Sequence, residues 1–249
     1  MMTSGTSRRS FFVGWDVGGW NCDKNPRSRD AIVVLDEHQK LVGKPWCGNL
    51  RSDIFRASTA SDWVQRLFRL CDVPWPKRPL VTMAIDAPLG FPEDFLRLIK
   101  KEQIVEATER SGENRYLFRQ TERLLFEQGH RPLSAVKDMI GSQATKGMHV
   151  LSKFATIEQS CGVWTDGEFF WAIETYPAIW RESRLLQEFL EKECSDGRSW
   201  EENKDAQDAR ICAFVAFLFA NWRGKLEGPS VDVPISEGWI WAPKLDAEG

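Results

Sequence analysis

The chain has 249 residues, 42% hydrophobic and 28% charged, with 33 Lys and Arg against 36 Asp and Glu for a formal net charge of −3. That length fits one large domain, and the balance excludes a disordered chain; near-neutrality excludes a protein that coats nucleic acid by charge alone, though not a local basic groove. Six Cys lie far apart without a C-x-x-C pair and only three His are present, which argues against a zinc knuckle or a disulfide scaffold and reads as reduced thiols in a cytoplasmic protein.

Residues 1–10 are expected to be a disordered tail, with no apolar stretch behind them that would serve as a leader. Phe11 to Asp16 reads as a short buried strand stopped by Gly18-Gly19. A polar loop with Pro26 follows, then a β-branched strand from Ala31 to Leu35, a polar turn, and a returning strand from Leu41 to Cys47. Ser61 opens an amphipathic helix in which Trp63, Val64, Leu67, Phe68 and Cys71 recur at helical spacing. Leu80 to Ile85 is a continuous apolar run, as suits a strand covered on both faces, and it ends in Asp86. Residues 93–160 are charged and helical in pattern, and are read as a helical insertion or cap. Asp166-Gly167 marks a hairpin between Val163–Thr165 and Glu168–Glu174. One helix is expected over Ala178 to Glu193, and Asn203 is placed to cap a last helix running to about Trp222. The longest apolar run, Ile211 to Ala220, is about half of what a membrane span needs. These elements predict an α/β domain over 1–249, a mixed sheet of five or more strands with helices on both faces.

Three carboxylates stand out by position. Asp16 and Asp86 each close a predicted strand, where open α/β sheets bind ligands. Asp208 lies in the first turns of an otherwise apolar helix, on a stripe shared with Asp205 and Cys212. Such a set suits a hard dication, Mg²⁺ or Mn²⁺, because a carboxylate on an inward stripe is costly unless paired or metal-bound. Each residue also has a plainer reading. Asp16 could start a turn, Asp86 could cap the helix near Pro92, and Asp205 could answer the helix dipole. Arg119, Glu122 and Arg123, at helical spacing, could be a solvated ion-pair ladder. Lys137, Lys146 and Lys153 could track a nucleic-acid backbone or only serve solubility. His38, His130 and His149 carry no motif and are read as surface residues.

Several segments together carry a resemblance: Gly14-Trp15-Asp16-Val17-Gly18-Gly19-Trp20, Ala84 to Pro92, Phe118 to Arg123, Ile173 to Pro177, Asp205 to Ala209, and Glu237 to Ile240. In that order they resemble the domain-of-unknown-function 429 family of predicted nucleases. The resemblance implies a ribonuclease H-like fold with its acidic cluster at Asp16, Asp86 and Asp208, Glu174 as a fourth catalytic member, and Arg119 and Glu122 as substrate contacts, Arg119 toward a phosphate. It departs from the simplest family pattern in the long loop after Gly19. The function expected is hydrolysis of a nucleic acid or nucleotide phosphodiester with two metal ions about 3.5–4 Å apart, Asp16 bridging them and Glu174 orienting water. Two other classes stay open. Asp16-Val17-Gly18-Gly19 also resembles the first phosphate loop of actin-like and sugar-kinase proteins, and the twelve Trp could serve a non-catalytic interaction surface.

Overall fold

The computed structural model describes residues 8–25, 28–102, 104–106, 110–195 and 203–245. The expected tail lies outside the described residues up to position 7. Arg9 and Ser10 already belong to the first strand.

The core is one mixed sheet. In chain order its strands are β1 (Arg9–Asp16), β2 (Asp30–Asp36), β3 (Trp46–Gly48), β4 (Pro79–Asp86), β5 (Ile157–Ser160), β6 (Val163–Thr165) and β7 (Phe170–Glu174). Their spatial order is β3-β2-β1-β4-β7-β6-β5. The central strands β1, β4 and β7 run parallel, and the flanking pairs are antiparallel. All three central strands therefore deliver their carboxyl ends to the same edge.

Helices cover both faces, as patterning predicts. On one side lie α1 (Arg51–Arg56), α2 (Ala60–Leu70) and α5 (Gly141–Phe154), packed on Phe11, Val13, Trp15 and Ile85. The other side is dominated by α8 (Lys204–Asn221), which packs on Phe12, Val33, Ala84 and Ile173. Helix α8 is buried almost throughout, so it is apolar on all sides rather than amphipathic. Its start is set as expected: Asn203 Oδ1 accepts the amides of Asp205 and Ala206. Helix α2 begins at Thr59, whose hydroxyl accepts from the Asp62 amide. The predicted hairpin is present, with Gly167 at φ +84° and Asp166 Oδ1 accepting three successive amides.

Three expectations are corrected, and one part of the fold has no counterpart among them. The returning strand over Leu41 to Cys47 shrinks to Trp46–Gly48, because Gly43 (φ +71°) turns the chain onto the end of α2, where Lys44 donates to the Cys71 carbonyl. The single helix over Ala178 to Glu193 is two, α6 (Pro177–Trp180) and α7 (Arg184–Ser195), broken where the Ser183 hydroxyl accepts the Leu186 amide and restarts the chain. The 93–160 segment is not one cap. Helices α3 (Glu93–Ile99) and α4 (Gln120–Glu127) lie within it, but α5 is part of the core layer, with Ala144, Val150, Leu151 and Phe154 buried, and β5 has begun by Ile157. Finally, β8 (Leu226–Glu227) and β9 (Ala242–Pro243), together with the 237–243 segment that follows the end of β7, have no sequence signature.

Candidate functional site

Strands β1 and β4 end in step, so that Asp16 stands directly opposite Asp86 in the parallel register. Side chains alternate along a strand. Gly14 and Asp16 thus share the face that Phe12 turns toward α8, and Asp86 shares it with Ala84. Helix α8 crosses β1 at Gly14, where a Cβ would lie 1.7 Å from the Ala209 carbonyl oxygen. Only glycine admits that approach, and it brings Asp208, the neighbour of Ala209, down to the sheet edge.

The three carboxylates line one cleft of about 390 Å³, with Asp205, Tyr176 and Arg181 also in its wall. Burial raises the pKa of Asp16 well above the usual carboxylate value, and repulsion from Asp86 and Asp208 adds to it. Asp86 is pushed up to about 8, by burial first and then by Asp208 and Glu174. Asp208 is raised by burial and partly relieved by Arg181 and Lys204. The Cys212 thiol, one turn further along α8, is raised by burial and then by Asp86 and Asp16. The cleft is therefore short of positive charge.

Its carboxylates are not all free. Asp208, 9% exposed, is paired with the Arg181 guanidinium. Asp205 is turned aside, its Oδ2 accepting the Arg29 amide at 2.9 Å. In this arrangement, no three His, Cys, Asp or Glu among the described residues converge as a metal cage.

The other sequence candidates are placed differently. Glu174 follows Ile173, whose side chain faces α8, so alternation sends it to the opposite face from Asp16 and Asp86. There Arg119 grips it with two nitrogens, at 2.6 and 2.8 Å, and the Leu89 amide donates to it at 2.8 Å. The expectation that Glu174 orients water is corrected: it lines the cleft, but its oxygens are committed. Arg119 itself is 0% exposed, its Nε bound to Glu122 and its Nη1 also to the Glu237 carbonyl. It reaches no substrate phosphate. Glu122 is equally buried and accepts the Arg119 amide at the start of α4. The pair is a buried structural clamp rather than a substrate contact or a solvated ladder.

Lys146 is also corrected. It is fully buried, 2.5 Å from Asp30, and donates to the carbonyls of Gly18 and Gly19. Asp30 accepts the Gly18 amide and the Trp15 indole N–H as well. Lys153 donates to the carbonyls of Ile54 and Phe55. Of the three lysines Lys137 alone stays half exposed, beside Asp138. His149 is not a simple surface residue, because its ring meets Trp20 and Phe55 and its Nε2 is buried without a hydrogen-bond partner. Trp15, Trp63, Trp164, Trp180, Trp239 and Trp241 are buried, and among the described Trp those that are exposed are Trp75 and Trp222.

Sequence reasoning missed Arg181 and Tyr176 in the cleft and Asp30 beneath it. Asp30 had a signal, a carboxylate at the head of an apolar strand. Arg181 had none, because its place depends on the break between α6 and α7. No family model, curated protein or solved structure matches the chain. No helix among the described residues is long and apolar enough to cross a membrane.

Proposed function

We propose that the chain is a metal-dependent phosphodiesterase acting on nucleic acid, built on a ribonuclease H-like sheet and related to the domain-of-unknown-function 429 proteins it resembles. The observation that carries this reading is the meeting of Asp16, Asp86 and Asp208 in one cleft at the strand ends. Their donors are hard oxygens, which suit Mg²⁺ or Mn²⁺. The pKa values of Asp16 and Asp86 are raised first by burial and then by repulsion from neighbouring carboxylates, a condition that favours a dication. The chemistry such an ion supplies is activation of water and stabilisation of charge on the leaving oxygen.

In this reading Asp16, Asp86 and Asp208 hold the ion. Glu174 and Arg119 are positioning residues, since through the Leu89 amide they fix the loop that follows Asp86. The kinase-like alternative is disfavoured by the Gly18 amide, which points to buried Asp30 instead of toward the cleft where a phosphate would sit. Burial of most described Trp weighs against a Trp-faced interaction module. Cys22, Cys47, Cys71, Cys161 and Cys212 form no disulfide with one another, which is in keeping with a cytoplasmic setting.

The test is a panel of single- and double-stranded DNA and RNA with Mg²⁺ or Mn²⁺, and Asp86→Asn as control. Metal-dependent cleavage that the control lacks is expected. Absence of cleavage across the panel, or full cleavage by Asp86→Asn, would overturn the reading.

A further inference from the structure

Two Arg–carboxylate pairs lie within a few residues of the cleft, and they differ in kind. Arg119 holds Glu174 through two nitrogens, with side-chain exposures of 0% and 2%. Arg181 holds Asp208 through Nη2 on one oxygen, with exposures of 40% and 13%. The first pair is locked. The second is open to solvent on the arginine side.

Arg181 is mounted on a fixed base. It directly follows α6, whose Trp180 is fully buried and donates its indole N–H to Thr175 Oγ1 at 3.0 Å. The backbone is therefore held while the long side chain can swing. Its charge acts on more than its contact partner, lowering the pKa of Asp86 as well as that of Asp208. A guanidinium does not deprotonate in proteins, so relief of its repulsion with a second cation requires movement. A dication held by Asp208 and Arg181 compete for the same carboxylate.

We propose that Arg181 is the exchangeable counter-ion of the cleft: it pairs with Asp208 while the cluster lacks a dication, yields Asp208 when one binds, and then turns its freed fork to a phosphate oxygen of the substrate. This deepens, and rests on, the reading of the cleft as a metal site. The guanidinium geometry matches phosphate oxygens as it matches carboxylates. One residue would thus serve two anions in turn, keeping the empty site from repelling itself and the filled site from repelling its substrate.

The experiment is calorimetric titration of the full chain with Mn²⁺ alone, then with inorganic phosphate at saturating Mn²⁺. Arg181→Gln should bind Mn²⁺ roughly five-fold more tightly than wild type, the scale of a partly exposed ion pair. It should bind phosphate roughly ten-fold more weakly. Lys204→Gln removes a cation from the same wall and separates direct competition from general charge; it should change Mn²⁺ affinity by less than about two-fold. Arg181→Lys keeps the charge and loses the fork, and should weaken phosphate while leaving Mn²⁺ affinity close to wild type. Thermal melting checks that each variant is folded.

Equal or weaker Mn²⁺ binding by Arg181→Gln would overturn the counter-ion role while leaving the metal site standing. So would equal tightening by Lys204→Gln. Unchanged phosphate affinity in both Arg181 variants would remove the second half of the proposal. Failure of wild type and Arg181→Gln alike to bind Mn²⁺ would overturn the metal-site reading, and the proposal with it.

Discussion

Asp208 and Asp205 are three residues apart on one helix, yet their surroundings assign them different work. Asp208 is buried in the cleft that Asp16 and Asp86 also line, whereas Asp205 ties the Arg29 backbone to the head of α8. Asp208→Asn is therefore expected to lower metal-dependent cleavage by roughly a thousand-fold, and Asp205→Asn by about ten-fold, measured side by side with circular dichroism as the folding control. Asp86 makes a second prediction. Its pKa rises from the ordinary 3.8 to about 8 on folding. The folded state then binds more protons than the unfolded state between those values. Stability falls as pH rises through that window, being fully present below the unfolded value and lost above the folded one. Denaturant titrations in chelator from pH 4 to 8 should show this decline, and Asp86→Asn should flatten it. Saturating Mg²⁺ should flatten it as well, because a bound dication favours the ionised carboxylates.

At the scale of elements, the crossing of β1 and α8 decides whether the cleft exists. A Cβ at Gly14 would meet backbone atoms, Ala209 O at 1.7 Å and Ala213 N at 2.4 Å, and neither can swing away as a side chain could. Gly14→Ala should cost about 3 kcal/mol or more, at the upper end of overpacking, read as a drop in the denaturation midpoint. Any part of that variant which folds should have lost its metal response, since α8 must lift away from the sheet. The Arg119 clamp joins β7, the loop after Asp86, α4 and the Glu237 segment. Removing its cation strands two buried carboxylates, so Arg119→Met should cost about 3–5 kcal/mol. A role for Arg119 in phosphate binding would instead predict weakened substrate binding with little change in stability, and melting separates the two.

Across the whole molecule, legibility followed the range of the interaction. Strands β1, β2 and β4 and helices α2 and α8 announce themselves through local periodicity and caps, and with them came Asp16, Asp86 and Asp208. The sheet-edge placement of Asp16 and Asp86 needed only the rule that parallel strands share an edge, whereas that of Asp208 depends on the close crossing of α8 over Gly14. What misled was charge. Arg119 and Lys146 look like surface residues in the sequence, because their partners Glu174 and Asp30 lie 55 and 116 residues away. A local pattern cannot distinguish a charge facing water from one facing a distant opposite charge. The apolar periodicity of Ala178 to Glu193 runs through Ser183 without marking the break between α6 and α7. The Lys146–Asp30 pair has one more consequence, for the timing of motion. The Gly18 amide lies in a connecting loop at the rim of the cleft, where rapid solvent access would be the default. Its acceptor is Asp30, pinned by a lysine from α5 with no exposed surface on either partner. Freeing that amide means uncovering two buried charges and undocking a core helix. In hydrogen–deuterium exchange the Gly18 amide should accordingly exchange only with global unfolding, as slowly as the centre of β1. The rim of the cleft would then be one of the last parts of the protein to open.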